Sequence, residues 1–289
     1  MDVRFGVTII PSASGRSDPV GEARRAEELG FDLVAVWDHP HGEHPSFEAW
    51  TFMTWIAANT NRIRVASNVL SLPFRLPALI AKMSESLDRL SGERLILGLG
   101  AGAADREFAA YGAPVRPPAE KIAALEEALA VIRGIWTEPS FTYDGKYYRN
   151  EDARLEPKPT RVIPVWIGAY GPRALDLTGR LGDGWIPSMA YLPPGEAPAA
   201  IARVRSAAER AGRDPDALDY AYNVGVRIGG PPAPDPTRQI AGEPGEVVER
   251  LLELVDLGFG VLNLSIGGRR EEQMELLAAE VLPRVARRG

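Results

Sequence analysis

Short apolar segments rich in β-forming residues alternate with longer amphipathic segments along the whole chain. The strand candidates are residues 5–9, 33–36, 63–66, 95–99, 164–167, 184–186, 220–227 and 261–266. The helix candidates that follow them are residues 20–29, 47–58, 77–90, 122–136, 173–181, 196–211, 244–257 and 271–286. A strand followed by a helix, repeated eight times, predicts an α/β fold: a single (β/α)8 TIM-type barrel of parallel strands. About 250 residues are typical of that barrel, so residues 1–289 are expected to form one domain.

The helix candidates carry apolar stripes and end signals. In segment 122–136, apolar residues recur at spacings of three and four, at Ile122, Leu125, Leu129, Ile132 and Trp136. This spacing places them on one face of a helix. Gly30 and Gly258 each directly follow a periodic stretch, at the position where a left-handed C-terminal cap favours glycine.

Two segments fall outside the repeat. Segments 141–143 and 146–148 flank Asp144-Gly145, a dipeptide suited to a two-residue turn, so residues 140–150 are predicted to form a hairpin inserted before strand five. Residues 229–236 are rich in proline and glycine and are predicted to form a mobile loop after strand seven.

Composition excludes several classes of site and partner. The chain has no cysteine, which removes disulfides, thiol nucleophiles and cysteine-bound metals. Its formal charge of -6 provides no field for nucleic acid or an anionic membrane. No apolar run approaches the ~18 residues of a membrane span, and no signal peptide is recognisable. We therefore expect a cytoplasmic protein with a small-molecule partner.

The first candidate for chemistry is Trp37-Asp38-His39, directly after strand two. Active sites of TIM-type barrels lie at the C-terminal ends of the strands. A histidine titrates near neutrality and can act as acid or base, and a neighbouring carboxylate can tune or position it. The alternative is a polar loop start with a structural histidine, and position alone leaves the two readings open.

All three histidines of the chain, His39, His41 and His44, lie in one loop. Such a cluster suggests a metal site in a barrel hydrolase, but that site needs further ligands from later strands. The later strand ends offer mostly Gly, Ala, Ser and Asn. No metal is therefore expected.

Glycines follow strand four, in Gly98-Leu99-Gly100-Ala101-Gly102. Their spacing differs from the G-x-G-x-x-G dinucleotide motif, and the run does not follow the first strand of a βαβ pair. Gly100 and Gly102 are better explained by close backbone packing or by the approach of a flat ligand.

The turn after strand five, Ala169-Tyr170-Gly171-Pro172-Arg173, opens a helix. The free N–H groups of a helix start favour an anion, and glycine lets the backbone approach it. A phosphate is the expected guest, and an ordinary strand-to-helix connection is the alternative.

Taken together, several segments resemble the bacterial-luciferase-like family of flavin and deazaflavin oxidoreductases, the luciferase-like monooxygenase superfamily. They are Leu29-Gly30-Phe31-Asp32, Trp37-Asp38-His39, Arg62-Ile63-Arg64-Val65, the run from Leu87 to Gly102, Pro164-Val165-Trp166-Ile167-Gly168 and Leu181-Gly182-Asp183-Gly184-Trp185. The resemblance follows the chain in order from strand one to helix eight. It is specific for the superfamily and not for one reaction.

The resemblance implies a barrel that holds a reduced flavin, or the deazaflavin coenzyme F420, at its C-terminal mouth. The Asp-His pair is typical of the F420 branch, which implies that His39 is the proton acid/base near the reactive ring carbon, with Asp38 beside it. In that branch a non-proline cis peptide often bulges behind the ring, and the matching bond here is Asn68-Val69.

The same resemblance assigns the remaining cofactor contacts. The cofactor phosphate is expected at Ala169, Tyr170 and Gly171, in agreement with the helix-start argument. Ile186 matches a position that packs near the cofactor.

The function implied is hydride transfer between F420 and a small organic substrate. The alternative is an FMN-dependent monooxygenase in which reduced flavin activates O2, and a non-catalytic flavin-binding relative is a further possibility. Some sugar-phosphate dehydrogenases of the family carry an acid where this chain has Ala103 and an aromatic residue where it has Glu43, which puts that substrate class in doubt. Trp37, Phe74, Tyr111, Met189 and Tyr191 are candidate pocket residues, and a homodimer is expected.

Overall fold

Eight parallel strands form a closed barrel in the computed structural model, which describes residues 3–15, 17–230 and 233–287. The strands are β1 Arg4–Thr8, β2 Leu33–Val36, β3 Arg64–Ser67, β4 Leu95–Gly100, β5 Val165–Gly168, β6 Gly184–Trp185, β7 Asp219–Ile228 and β8 Val261–Ile266. Each pairs in parallel with the next, and β8 closes the ring by pairing with β1. The predicted barrel is confirmed, with strand ends within one residue of those expected.

Helices surround the barrel. They are α1 Pro19–Glu28, α2 Ala49–Ala58, α3 Pro77–Ser91, α4 Asp105–Ala110, α5 Pro118–Thr137, α6 Pro172–Leu181, α7 Ala197–Arg210, α8 Pro244–Asp256, α9 Arg270–Leu276 and α10 Leu282–Ala286. The last predicted helix is interrupted by a π-helical turn at Leu277–Val281. Helix α4 was not predicted, because its six residues lack a side-chain N-cap and are too few for an apolar period.

The predicted hairpin exists, but its second strand was placed too early. Phe141–Asp144 pairs antiparallel with Arg149–Ala153 rather than with residues 146–148. The reason is Glu127 on α5, whose carboxylate accepts the backbone N–H groups of Lys146, Tyr147 and Tyr148. These residues therefore form the turn, and pairing starts only after them.

The region after β7 contains more structure than expected. Gln239–Gly242 forms a strand that pairs in parallel with the end of β7. Of the predicted mobile loop 229–236, Pro231 and Pro232 lie outside the described residues.

The inside of the barrel is filled by side chains. The interior cluster comprises Leu33, Ala35, Ala66, Ile96, Trp166, Ile186, Ala221 and Val261. Trp166 is completely buried and donates its indole N–H to Asp219 at 3.1 Å. A Cβ on Gly184 would lie 2.3 Å from the Trp166 ring. A ligand must therefore bind at an end of this packed barrel.

Glu27 on α1 holds the chain in position before β3. Its carboxylate accepts the N–H groups of Asn61, Arg62 and Ile63 at 2.6–2.9 Å. Burial raises the pKa of Glu27, but these three N–H groups and the charge of Arg62 outweigh burial, so the pKa lies below its usual value. Ionised Glu27 therefore stabilises the fold fully above the usual carboxyl pKa. This stabilisation is lost as the pH falls through the lower pKa of the folded state.

Glu27→Gln is expected to lower the free energy of unfolding at pH 7 by about 1–3 kcal/mol, because it removes a charged acceptor of three backbone donors. The difference from the parent protein should shrink as the solution is acidified. Urea denaturation across the acid range measures it. The control is Glu28→Gln, whose exposed carboxylate pairs only with Arg25 and should cost under about 1 kcal/mol. Equal losses for both variants would contradict the proposed role of Glu27.

Candidate active site

Asp38, directly after β2, is locked in a buried ion pair. Its side chain is completely buried and accepts the N–H of Ser71 at 2.9 Å and two N–H groups of Arg75 at 2.7 and 3.0 Å. Arg75 also contacts Glu48, the N-cap of α2. Burial lowers the pKa of Arg75, but Asp38 and Glu48 raise it further, so its net shift is upward and its charge is retained. Asp38 therefore ties β2 to the segment that follows β3.

His39 contacts a carboxylate that the sequence reasoning missed. Its Nδ1 lies 2.8 Å from Oε1 of Glu107 on α4. Because an ionised carboxylate can only accept, Nδ1 carries the hydrogen of this contact when Glu107 is ionised, and a neutral His39 then keeps Nε2 as an acceptor. The His39 side chain is 57% exposed, whereas Glu107 is 15% exposed. The missed signal was the acidic run Asp105-Arg106-Glu107, which lies shortly after a barrel strand.

The second oxygen of Glu107 has no donor. Oε2 is buried and makes no hydrogen bond to any part of the chain that the structure describes. Within the described part of the chain, His39 is the only side chain that contacts the Glu107 carboxylate. The pair places a carboxylate directly against the imidazole ring.

An aromatic group borders His39. The Trp37 ring meets His39 edge-on at 6.4 Å between centroids. Phe74 contacts Tyr111, whose hydroxyl donates to the carbonyl of Pro40 at 2.7 Å. Met189, a candidate pocket residue, is instead completely buried in the core.

The peptide bond Asn68-Val69 is cis, as expected. The Asn68 side-chain amide exchanges two hydrogen bonds with Asn223 of β7, at 2.7 and 3.1 Å. Asn263 of β8 donates to Asn223 at 2.7 Å and to Thr8 of β1 at 3.0 Å. This amide chain was not predicted, because its members lie far apart in the sequence. It fixes Asn68 from across the barrel.

Glycines make room for Val69. A Cβ on Gly100 would lie 2.7 Å from Val69, and one on Gly168 would lie 3.1 Å from it. Gly102 has a φ of +92°, and a Cβ there would lie 2.7 Å from the Phe108 ring. Gly100 thus lies against Val69, and Gly102 has a packing role of its own against Phe108.

The turn after β5 leaves a helix start open. Ala169 is buried and its carbonyl accepts the indole N–H of Trp185. Gly171 is the exposed N-cap of α6, and a Cβ there would meet nothing within 4 Å. Arg173, in the first turn of α6, is exposed and makes no ion pair within the described part of the chain. These features suit an anion at this helix start.

Tyr170 of the same turn has its ring partly open and its hydroxyl engaged. The residue is 41% exposed, and the hydroxyl accepts the N–H of Ser188 at 3.1 Å. Burial of the hydroxyl end raises the pKa of Tyr170 to about 12, so it is neutral at physiological pH. Ile186, by contrast, is 2% exposed and belongs to the barrel interior, where Val69 packs against the same cluster.

Within residues 3–15, 17–230 and 233–287, no three His, Asp or Glu side chains are arranged to hold a metal ion. No helix among these residues has the length and apolar character required to cross a membrane.

The chain is similar to curated proteins along its length. An F420-dependent glucose-6-phosphate dehydrogenase of Intrasporangium calvum is 30% identical, over 93% of this chain and 95% of that protein. The enzyme of the same name from Microbacterium testaceum is 28% identical, over 99% of this chain and 98% of the relative.

Solved structures share the fold. An F420-dependent secondary alcohol dehydrogenase, in complex with an F420-acetone adduct, superposes with a TM-score of 0.89 at 21% identity and 99% coverage of both chains. The F420-dependent tetrahydromethanopterin reductase of Methanopyrus kandleri gives a TM-score of 0.82 at 21% identity, over 99% of this chain and 100% of that chain.

The family model described as luciferase-like monooxygenase matches residues 6–234. This stretch runs from within β1 to the loop after β7 and includes the loop that carries Asp38 and His39. The chain therefore belongs to the luciferase-like monooxygenase family.

Proposed function

We propose that the protein is an F420-dependent oxidoreductase that transfers a hydride between F420 and a small organic substrate, with His39 as the proton acid/base. The observation that carries this proposal is the His39–Glu107 pair at the C-terminal side of the barrel, with Nε2 left as an acceptor. The similarity to F420-dependent dehydrogenases along the whole chain supports the cofactor.

His39 has the features of a proton carrier. Its exposed ring can reach a substrate, while Glu107 holds Nδ1 and stabilises the imidazolium that forms when Nε2 takes a proton. Bound F420 supplies a ring carbon that accepts or donates a hydride. The Asp38 carboxylate already accepts hydrogen bonds from Ser71 and Arg75 and is not open to a substrate. We therefore propose that Asp38 positions the loop that carries His39.

The residues of the mouth fit F420. We assign the cofactor phosphate to the open helix start at Ala169, Tyr170 and Gly171, with Arg173 as its cation. We assign the wall on which the ring would lie to Val69, which Gly100 supports from behind, while Gly102 packs against Phe108 and Asn68 is fixed by its amide partners. We place Ile186 beneath the ring, because it belongs to the interior cluster against which Val69 packs.

Titration decides between F420 and FMN. We expect F420 to bind with a Kd at least about 100-fold lower than that of FMN, since the Asp38-His39 pair is typical of the F420 branch and the chain is similar to F420-dependent dehydrogenases along its length. Fluorescence of each cofactor measures binding. Tighter binding of FMN, with stoichiometric oxygen uptake by its reduced form, would overturn the proposal in favour of an FMN-dependent monooxygenase.

A pair of variants on α6 locates the phosphate in the same titration. Arg173→Ala should weaken F420 binding about 10-fold, and added salt should reduce this difference because it screens an exposed charge. Arg180→Ala is the matched control, since Arg180 lies at the far end of α6 and pairs with Glu126. Equal effects of the two substitutions on F420 binding would mean that the phosphate binds elsewhere.

The expected homodimer has a candidate surface on α2 and α3. Trp55 is 62% exposed, Leu79 is 52% exposed and Leu90 is 81% exposed, and apolar side chains open to water on neighbouring helices favour burial by a partner. We propose that a second copy covers them.

The cytoplasmic location expected from the sequence also remains a prediction.

Sedimentation should show a dimer that Trp55→Glu converts to monomer, because the new carboxylate would be buried without a partner. Val162→Glu, on an equally exposed apolar residue just before β5, should leave the dimer intact. A monomeric parent protein would rule the surface out.

A further inference from the structure

Four large side chains that are open to solvent at the C-terminal ends of the barrel strands are apolar or aromatic. Ile10 after β1 is 37% exposed, Trp37 after β2 is 38% exposed and Tyr170 after β5 is 41% exposed. Tyr191, in the loop after β6, is 76% exposed and its ring lies 5.7 Å from that of Tyr170. Large apolar side chains left open at one end of a barrel favour an apolar ligand.

Lys and Arg are absent from the positions directly after the barrel strands, and the exposed Arg173 is assigned to the cofactor phosphate. The two residues that follow each barrel strand include no Lys and no Arg. Arg75 reaches this end, but its side chain is 12% exposed and engaged by Asp38 and Glu48. Arg270, 16% exposed, is engaged by Glu22 and by the carbonyls of Thr8 and Ile266.

The charged side chain that contacts the proton carrier is negative. Glu107 lies against His39, and its Oε2 has no donor among the described residues. A phosphate dianion placed against His39 would lie near the Glu107 carboxylate, while Arg75 and Arg270 are already engaged by other groups and could not replace its hydration. An uncharged molecule loses much less hydration when it enters.

We propose that the substrate is an uncharged alcohol with an apolar or aromatic group, interconverted with its ketone or aldehyde, and not a phosphorylated sugar. This inference rests on the proposed function. In oxidation, the carbinol C–H bond breaks and its hydride carries both electrons to F420, while the hydroxyl proton passes to Nε2 of His39 and a C=O bond forms. The substrate class thus differs from that named in the glucose-6-phosphate dehydrogenases that the chain resembles.

The test compares 1-phenylethanol and 2-octanol with glucose and glucose 6-phosphate. With F420 as acceptor, the better uncharged alcohol should have a kcat/KM at least about 100-fold above that of glucose 6-phosphate. Binding of acetophenone and of glucose 6-phosphate to the protein without cofactor, measured by calorimetry, gives a readout that does not depend on turnover. Acetophenone should bind at least about 10-fold more tightly.

Variants locate the apolar site. Trp37→Ala and Tyr191→Ala should each weaken acetophenone binding and raise KM for 1-phenylethanol about 10-fold. Val162→Ala is the control, since Val162 is 72% exposed but precedes β5 and so lies at the opposite end of the barrel. It should change neither quantity.

The outcomes separate this inference from the proposed function. If F420 binds and glucose 6-phosphate is the better substrate or ligand, the substrate class is wrong and the proposed function stands. If F420 does not bind, the proposed function fails, while calorimetry still decides whether the mouth prefers uncharged apolar molecules. Equal effects of Trp37→Ala and Val162→Ala would also overturn the inference.

Discussion

Replacing His39 with alanine is expected to lower kcat by about 1,000-fold, within the range of about 100- to 10,000-fold typical of a positioned acid or base. The Kd for F420 should change by less than about 3-fold, because the phosphate and the ring wall are assigned to other residues. The reason is chemical: Nε2 is the acceptor that the Glu107 contact leaves open for a substrate proton. Steady-state kinetics and cofactor titration on the same preparation measure both quantities.

Two further variants make that experiment specific. His44→Ala removes a histidine of the same loop that makes no described hydrogen bond or ring contact, and it should leave kcat unchanged. Glu107→Gln keeps the shape of the side chain but removes its charge, and it should lower kcat about 10- to 100-fold. Equal losses of kcat and F420 affinity in His39→Ala would make His39 a binding residue only.

The strand-helix repeat was sufficient to predict the barrel. Alternation of apolar and polar residues is a local property, and the eight strands it indicated lie within one residue of the observed ends. The hairpin shows where local patterns fail. Its second strand starts later than Asp144-Gly145 indicated, because Glu127 accepts the N–H groups of the turn. Glu127 lies on another element, so the local pattern of the hairpin could not reveal this contact.

The same distinction applies to the site. Position after β2 singled out His39, and glycine in a helix start singled out Gly171, since both signals are local. Glu107 was missed because its role depends on a contact across 68 positions of the chain. Pairing of Asn68 with Asn223 spans 155 positions, and no pattern in either segment specifies it.

Asp38 illustrates how a contact changes an interpretation. The sequence placed it beside His39 as a candidate for chemistry or cofactor binding. The structure places its carboxylate against Arg75 and the Ser71 N–H, with the side chain completely buried. The pair joins the segment after β2 to the segment after β3, so it positions His39 and Asn68 relative to each other.

Asp38→Ala is therefore expected to lower the free energy of unfolding by about 3–5 kcal/mol, because it leaves the Arg75 guanidinium buried with only Glu48 as its partner. Urea denaturation measures this loss. Asp144→Ala is the matched control: Asp144 also pairs with an arginine, Arg149, but both side chains are 79% exposed, so the cost should be under about 1 kcal/mol.

A double variant separates the ion pair from the carboxylate itself. Asp38→Ala combined with Arg75→Met removes both charges, and it should recover part of the stability lost in Asp38→Ala, since no buried cation is left without its partner. If Asp38→Ala costs no more than Asp144→Ala, the pair does not hold the mouth together. If Asp38→Ala is as stable as the parent protein but has a 1,000-fold lower kcat, Asp38 takes part in the reaction itself. A residue that only positions others would also have lowered the free energy of unfolding when it was removed.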